Sequence, residues 1–314
     1  MEDLAWIGER SVLVKKDPVP LQKYFGLRGP LLSLAMFERI LFPLDFSEPS
    51  LRMLDCVKEL MGFGLKEVVL CHVAAVGISL TADQRKTLER TMESIRREGA
   101  KVREVVRQGD PVEEVLDVAE SEDVSLIAMA SSGKGRTQEL LIGSTSFGIL
   151  RSASRPVLIN KFPSTEGRQE GTVAPPIFQK ALVPIDFSSC TDMCMILLPE
   201  LSSHGLREAV LFNVVDSGRS NIQEGKRFQK VLSKVMLDLD EIRSKLEGRG
   251  CRVSTHVHFG TVPYNILEAS RELDASVIIL GAHRRSLLRE ITLGGNTETV
   301  VRKSTIPLLV IPCD

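Results

Sequence analysis

Asp45 follows the apolar run Ile40-Leu41-Phe42-Pro43-Leu44 and is itself followed by Phe46, Ser47, Glu48 and Pro49. The run reads as a strand. Ser47, with an acid and a proline behind it, reads as the cap and first turn of a helix. Asp45 then stands in the turn between them, where its carboxylate can accept a hydrogen bond from a ligand such as an exocyclic amine. An ordinary capping role suits the same residue. A second segment could handle an anion. A strand ending at Met129-Ala130 leads into Ser131-Ser132-Gly133-Lys134-Gly135-Arg136, and Gly143-Ser144-Thr145 opens a helix. Gly133 bends the loop and Gly143 allows backbone to approach a ligand. Ser144 is the expected cap, and the unpaired N–H groups of a helix start, with Lys134 and Arg136 nearby, favour a phosphate. The alternative is a Gly-rich turn before a capped helix. His72-Val73 ends another apolar run; a histidine there reads as core, and the Val73 backbone could line a pocket.

The elements that would bring these pieces together come from a duplication. Arg39-Ile-Leu-Phe-Pro-Leu-Asp-Phe-Ser47 returns as Lys180-Ala-Leu-Val-Pro-Ile-Asp-Phe-Ser188, an offset of 141 that also carries Val73 to Val214. Gly109, Gly143 and Pro156 recur as Gly260, Gly294 and Pro307 at an offset of 151. The second copy therefore holds ten extra residues, and these fall where a helix is expected. In the first copy, apolar runs near 38–44, 66–73, 101–107, 124–130 and 156–160 read as strands. Helical patterns fill 48–61, 80–98, 111–121 and 144–152. Strands alternating with helices imply a mainly parallel sheet covered on both faces, wound right-handedly. In such α/β folds ligands sit beyond the carboxyl ends of the strands, where Asp45, Val73 and the Gly-rich segment all fall. The chain divides into an extension (1–36), a first domain (37–160), a Pro/Gly-rich linker (161–177) and a second domain (178–314). Met36 precedes the first repeat directly, which makes it an alternative translation start.

The composition narrows the function classes. Forty basic against 41 acidic residues leave a net charge of −1 and no sign of a nucleic-acid surface. No apolar run approaches a membrane span and none resembles a signal peptide, so a cytoplasmic location is expected. The six cysteines show no zinc or Cys-x-x-Cys spacing. Cys190 and Cys194 lie one helical turn apart, as for helix packing, and a reducing compartment is expected. His256 and His258 share a strand face without an evident third ligand, so no metal site is expected. There is no Gly-x4-Gly-Lys-Ser/Thr loop and no Gly-x-Gly-x-x-Gly fingerprint.

Pro43-Leu-Asp-Phe-Ser-Glu48, Gln108-Gly-Asp-Pro111, Ala130-x2-Gly133-x9-Gly143-Ser144 and Arg155-Pro-Val-Leu-Ile159, in that order, resemble the motifs of nucleotide-binding universal stress proteins. The resemblance covers about 37–160 and 178–312. It implies two tandem doubly wound domains, each with a five-stranded parallel sheet of the adenine-nucleotide alpha-hydrolase-like type. It also implies a ligand: ATP, ADP or AMP, with a divalent metal such as Mg alongside ATP. Pro43, Leu44, Asp45 and Val73 would contact the adenosine end. Met129, Ala130, Ser131, Ser132, Gly133, Gly143, Ser144 and Thr145 would surround ribose and phosphates. Ala130 departs from the family's glycine, and its methyl would crowd the ribose.

The second copy offers Pro184, Ile185, Asp186, Val214, Gly281, Ala282, Arg284, Gly294, Gly295 and Asn296. Here Arg284 replaces the second motif glycine. A positive φ at that position would cost about 1–2 kcal/mol, and the side chain would either fill the phosphate space or hold a phosphate itself. Asn296 is the expected cap. The resemblance further implies pairing through the last strands, Pro156–Asn160 and Pro307–Pro312. The two copies should then pair within the chain, with a homodimer beyond that. The leading expectation is a nucleotide-binding stress-response or signalling protein that uses mainly the first copy and an unknown protein partner. A nucleotide-free interaction module is the alternative; weak ATP hydrolysis ranks third because no general base can be named.

Overall fold

The computed structural model describes residues 35–131, 142–161, 176–216, 226–283 and 294–313. Ten strands form one sheet in the order β3-β2-β1-β4-β5-β10-β9-β6-β7-β8. The first copy supplies β1 (Arg39–Pro43), β2 (Glu67–Ala74), β3 (Lys101–Gln108), β4 (Leu126–Ser131) and β5 (Val157–Lys161). The second supplies β6 (Lys180–Pro184), β7 (Glu208–Asp216), β8 (Val253–Gly260), β9 (Val277–His283) and β10 (Leu308–Cys313). Every neighbouring pair is parallel except β5 and β10. Each half is thus the expected five-stranded, doubly wound α/β sheet.

Residues along each central strand alternate between two cores. Ile40 and Phe42 pack on one face with α1 (Glu48–Arg52), α2 (Asp55–Gly62) and α3 (Ala82–Arg97). Leu41 packs on the other with α4 (Pro111–Ser121) and α5 (Ser144–Ser152). In the second copy α6 (Ser189–His204) and α7 (Lys226–Glu247) take the first face, and α8 (Val262–Glu272) and α9 (Gly295–Lys303) the second. With both faces covered, the strands can be apolar throughout.

Local signals set the helix starts. Ser47 caps α1, Thr81 and Gln84 form a capping box on α3, and Asp110 caps α4 ahead of Pro111. The single helix expected over 48–61 is two. Around Met53 and Leu54 the backbone tightens into i→i+3 bonds, Met53 N–H to Ser50 O and Leu54 N–H to Leu51 O. α7 is six residues longer than α3, so part of the ten-residue insertion lengthens this helix. The repeat extends to backbone exceptions: Phe46 and Phe187 have φ of 59°, and Asp123 and Asp274 have 46° and 49°.

The seam between the copies is nearly two-fold symmetric. Leu158 faces its own counterpart, Leu309, with Ile159 opposite Leu308 and Val157 opposite Val310. On one face Phe37 meets its counterpart Phe178 edge-on at 5.5 Å, and Phe63 packs on Phe178. Glu59 accepts the Ile177 and Phe178 N–H groups at 2.8 and 2.7 Å. On the other face Arg302 lies 4.1 Å from the Phe147 ring centre. Buried Lys161 donates from Nζ to Val301 O at 2.6 Å, near the carboxyl end of α9, and burial pulls its ammonium down to about 8. The intrachain pairing expected from the last strands is therefore present. Pro156 and Pro307 open strands that are edges of each copy but the centre of the whole sheet.

Candidate functional site

β1 ends at Pro43, which has no N–H to continue the ladder. Leu44 N–H still reaches Cys71 O at 2.7 Å, while Leu44 O lies 2.7 Å from His72 Nδ1. A carbonyl only accepts, so Nδ1 carries the proton. The next residue but one, Phe46, enters the left-handed region and lays its ring on His72, with centroids 4.7 Å apart. His72 is therefore a brace beneath the Asp45 turn, a role its position in an apolar strand did not announce.

Asp45 is more engaged than the sequence suggested. Its Oδ1 accepts from Ser47 N–H at 2.9 Å and from Ser47 Oγ at 2.5 Å. Partial burial works to raise its pKa, but hydrogen bonds from the Ser47 and Ser50 side chains and the Ser47 backbone outweigh it and hold the carboxyl below its usual value. Asp45 is thus an anchored anion at the cleft edge, and a carboxylate still has accepting capacity beyond these bonds.

The opposite wall is built by β4 and α5. Met129 is buried, Ala130 half-buried, and Ser131 closes the strand. Ser132, Gly133, Lys134 and Arg136 lie outside the described residues. Ser144 is not the cap: Gly143 takes that place at φ −65°, ψ 155°, with no side-chain bond to the helix, and Ser144 becomes the first helical residue. A glycine cap leaves the first N–H groups without a side-chain acceptor, and the first turn carries no acid. A side chain at Gly143 would meet none of the described residues within 4 Å. Ser146 Oγ donates to Ala130 O at 3.4 Å, tying the helix start to the strand end.

Between these walls lies a cavity of about 490 Å³. Nine expected residues line it together: Pro43, Leu44, Asp45, Val73, Met129, Ala130, Gly143, Ser144 and Thr145. Ser47, Pro49, Ser50, Cys71, Pro111, Val115, Ile142, Ser146 and Ile149 complete the lining. Most of these carry no chemistry that would single them out; Pro111 and Val115 lie there because α4 packs beside β2. Burial pushes the Cys71 thiol up to about 12, so it offers no thiolate near neutrality. Among the described residues no group of three His, Cys, Asp or Glu could hold a metal, and no helix is long and apolar enough to cross a membrane.

The second copy repeats the first half of this arrangement. Past Pro184, Ile185 N–H reaches Phe212 O at 2.9 Å, and Asn213 Nδ2 donates to Ile185 O at 2.7 Å, in the place of His72. Asp186 Oδ1 accepts from Ser188 N–H and Oγ at 3.0 and 2.5 Å. Val214 lies in β7, and Gly281 and Ala282 lie in β9. Gly294 is the cap of α9, with Gly295 as the first helical residue, so Asn296 lies two positions past the cap and does not serve as expected. Arg284 lies outside the described residues. The major departure is at Gly281: Cys190 and Cys313 are joined across it. Cys190, expected only to pack along its helix, is instead bonded to Cys313, and the 123 residues between the partners hid the link.

The model of the universal stress protein family matches residues 36–161 and again 178–312. The chain belongs to the universal stress protein family. Among curated members, universal stress protein MJ0577 of Methanocaldococcus jannaschii is 29% identical over 155 residues, covering 40% of this chain and 96% of that relative. Universal stress protein YxiE of Bacillus subtilis is 25% identical over 146 residues, covering 40% of this chain and 99% of that relative. Each spans about one copy. A universal stress protein structure from Archaeoglobus fulgidus superposes over both, with a TM-score of 0.70 at 24% identity, covering 88% of this chain and 98% of that one. A Pseudomonas aeruginosa structure gives 0.68 at 14% identity, covering 90% and 95%. The tandem architecture is thus shared with solved members of the family.

Proposed function

We propose that the chain binds an adenine nucleotide in its first cleft and serves a stress-response or signalling role in the cytoplasm through a protein partner. The observation that carries this reading is the cavity itself. It joins the anchored Asp45 turn at one end to a helix start without a side-chain cap or acidic residue at the other. That polarity suits a ligand with a hydrogen-bonding base and an anionic tail. Residues 37–160 and 178–314 are the two domains in this reading, joined by 161–177, with the nucleotide held mainly by the first. ATP, ADP and AMP share the chemistry required; Mg would arrive with the phosphates of ATP. Hydrolysis has less support, because Asp45 is held by Ser47 and no other base lines the cleft among the described residues. A homodimer would use a surface other than the last strands, which already pair with each other.

The test is to purify the protein from cells, denature it, and identify released nucleotides by liquid chromatography and mass spectrometry, followed by ATP, ADP and AMP titration. Gly143→Leu should lower affinity at least 100-fold. The backbone there suits any residue, and among the described residues nothing crowds a side chain at that position, so the fold should survive. Unchanged affinity would end the assignment of this cleft. A protein free of nucleotide that also fails to bind in titration would favour the interaction-module reading, which has specific support in the occupied Gly281 wall of the second copy.

A further inference from the structure

We propose that Cys190 and Cys313 are a thiol–disulfide exchange site that locks or releases one wall of the second cleft. The regulatory meaning rests on the nucleotide reading above, but the exchange site does not.

Cys190 lies in the first turn of α6, behind its Ser188 cap, and Cys313 ends β10. Their Cα atoms are 5.3 Å apart, inside the range a disulfide spans without backbone movement. The bridge crosses the backbone of Gly281. A Cβ there would lie 2.4 Å from Cys190 Cβ, 2.8 Å from Cys190 Sγ and 2.9 Å from Cys313 Sγ. Gly281 is thus a glycine because the sulfurs fill its side-chain space, whatever a ligand would ask of it. In the first copy the equivalent positions are Ala130, Pro49 and Phe162, so the corresponding wall cannot be bridged. Ala130 and Pro49 line the cavity there. The covalent link therefore falls where the first copy has an open cleft wall.

The chemistry needs only a small-molecule thiol and its disulfide. Cys190 is 7% exposed and Cys313 1%, so exchange enters at Cys190. In reduction, a small thiolate attacks Cys190 Sγ, the protein S–S bond breaks, and Cys313 leaves as a thiolate and takes a proton. A second small thiolate then attacks the sulfur of the first. This frees Cys190 as a thiolate, which is protonated in turn, and yields the small-molecule disulfide. Oxidation runs the same steps backwards. In that direction Cys190, the more exposed of the two, is the nucleophile that attacks the small-molecule disulfide.

The experiment uses the full chain equilibrated with reduced or oxidised glutathione, trapped with an alkylating agent and mapped by mass spectrometry. A linked Cys190–Cys313 peptide that is lost in reduced glutathione and regained in oxidised glutathione is expected. Free alkylation of both cysteines in oxidised glutathione would overturn the proposal. Hydrogen exchange then reads the wall: amides in the first turn of α6 and at the end of β9 should exchange at least tenfold faster after reduction. Equal protection in both states would overturn the locking role. Cys190→Ser and Cys313→Ser should each abolish the response to oxidant, and a response that persists in either would refute the pair. ATP titration of Gly143→Leu in both redox states adds the ligand. If the amides respond and ATP binds neither state, the switch stands and the nucleotide reading of the second cleft fails.

Discussion

The two clefts descend from one sequence and share their floor but not their walls. At Asp45 and Asp186 the same serine pair of bonds anchors the carboxylate, and the same left-handed phenylalanine follows. The brace below differs. His72 supports Phe46 by ring contact, whereas Asn213 keeps the carbonyl bond and leaves Phe187 37% exposed. At the strand-four position the first copy has Ala130 beside open space, and the second has Gly281 beneath two sulfurs. Duplication thus preserved the backbone turn, which the sheet itself requires, while the side-chain wall diverged. A motif glycine retained in a repeat need not retain its motif role.

That contrast can be broken directly. Gly281→Ala should destabilise the fold by about 1–3 kcal/mol through overpacking against Cys190 and Cys313. Urea unfolding would measure it, and a neutral result would mean the sulfurs do not fill that space. A second test concerns the seam. Below pH 8 folded and unfolded Lys161 are both charged and contribute no slope. Above 8 the unfolded chain holds the extra proton, so stability should rise with pH, by up to about 1.4 kcal/mol per unit. Above about 9 the buried Cys56 and Cys71 thiols, pushed up to about 12 by burial, act oppositely because the folded state then keeps more protons. The window that isolates Lys161 is pH 8–9, and Lys161→Met should remove the rise there.

Converting one brace into the other gives a smaller effect. His72→Asn should keep the bond to Leu44 O and lose only the contact with Phe46, about 0.5–1.5 kcal/mol. His72→Ala should cost more, about 1–3 kcal/mol, by orphaning the carbonyl. Equal losses would show that the carbonyl bond does not matter. The smallest expected change is Ala130→Gly. It should raise ATP affinity a few-fold by removing the methyl from the cleft, while costing about 0.5–1 kcal/mol of stability. Calorimetric titration and urea unfolding would read the two parts separately.

Much of the fold was legible because strands covered on both faces carry apolar residues without interruption, as in Ile40–Leu44 and Val68–Cys71. The turn carrying Asp45 was legible from Ser47-Glu48-Pro49, whose cap chemistry is local. What escaped depends on atoms distant in sequence or on backbone detail. The break at Met53–Leu54 leaves hydrophobic periodicity intact. The caps at Gly143 and Gly294 displace the polar residues Ser144 and Asn296 by one and two positions, a shift no propensity resolves. Phe46 gives no warning of a positive φ, because its cost is offset by packing on a histidine 26 residues away. The bridge from Cys190 to Cys313 needed the three-dimensional seam before it could be seen.

The antiparallel meeting of β5 and β10 sets the direction in which the molecule can face its surroundings. Parallel strands on either side of that seam run opposite ways, so the carboxyl ends of the two halves point to opposite edges of the sheet. β1 and β6 are separated by five strand spacings, about 24 Å. The two carboxyl edges therefore stand back to back across one shared ten-stranded sheet, each approached from the side opposite the other.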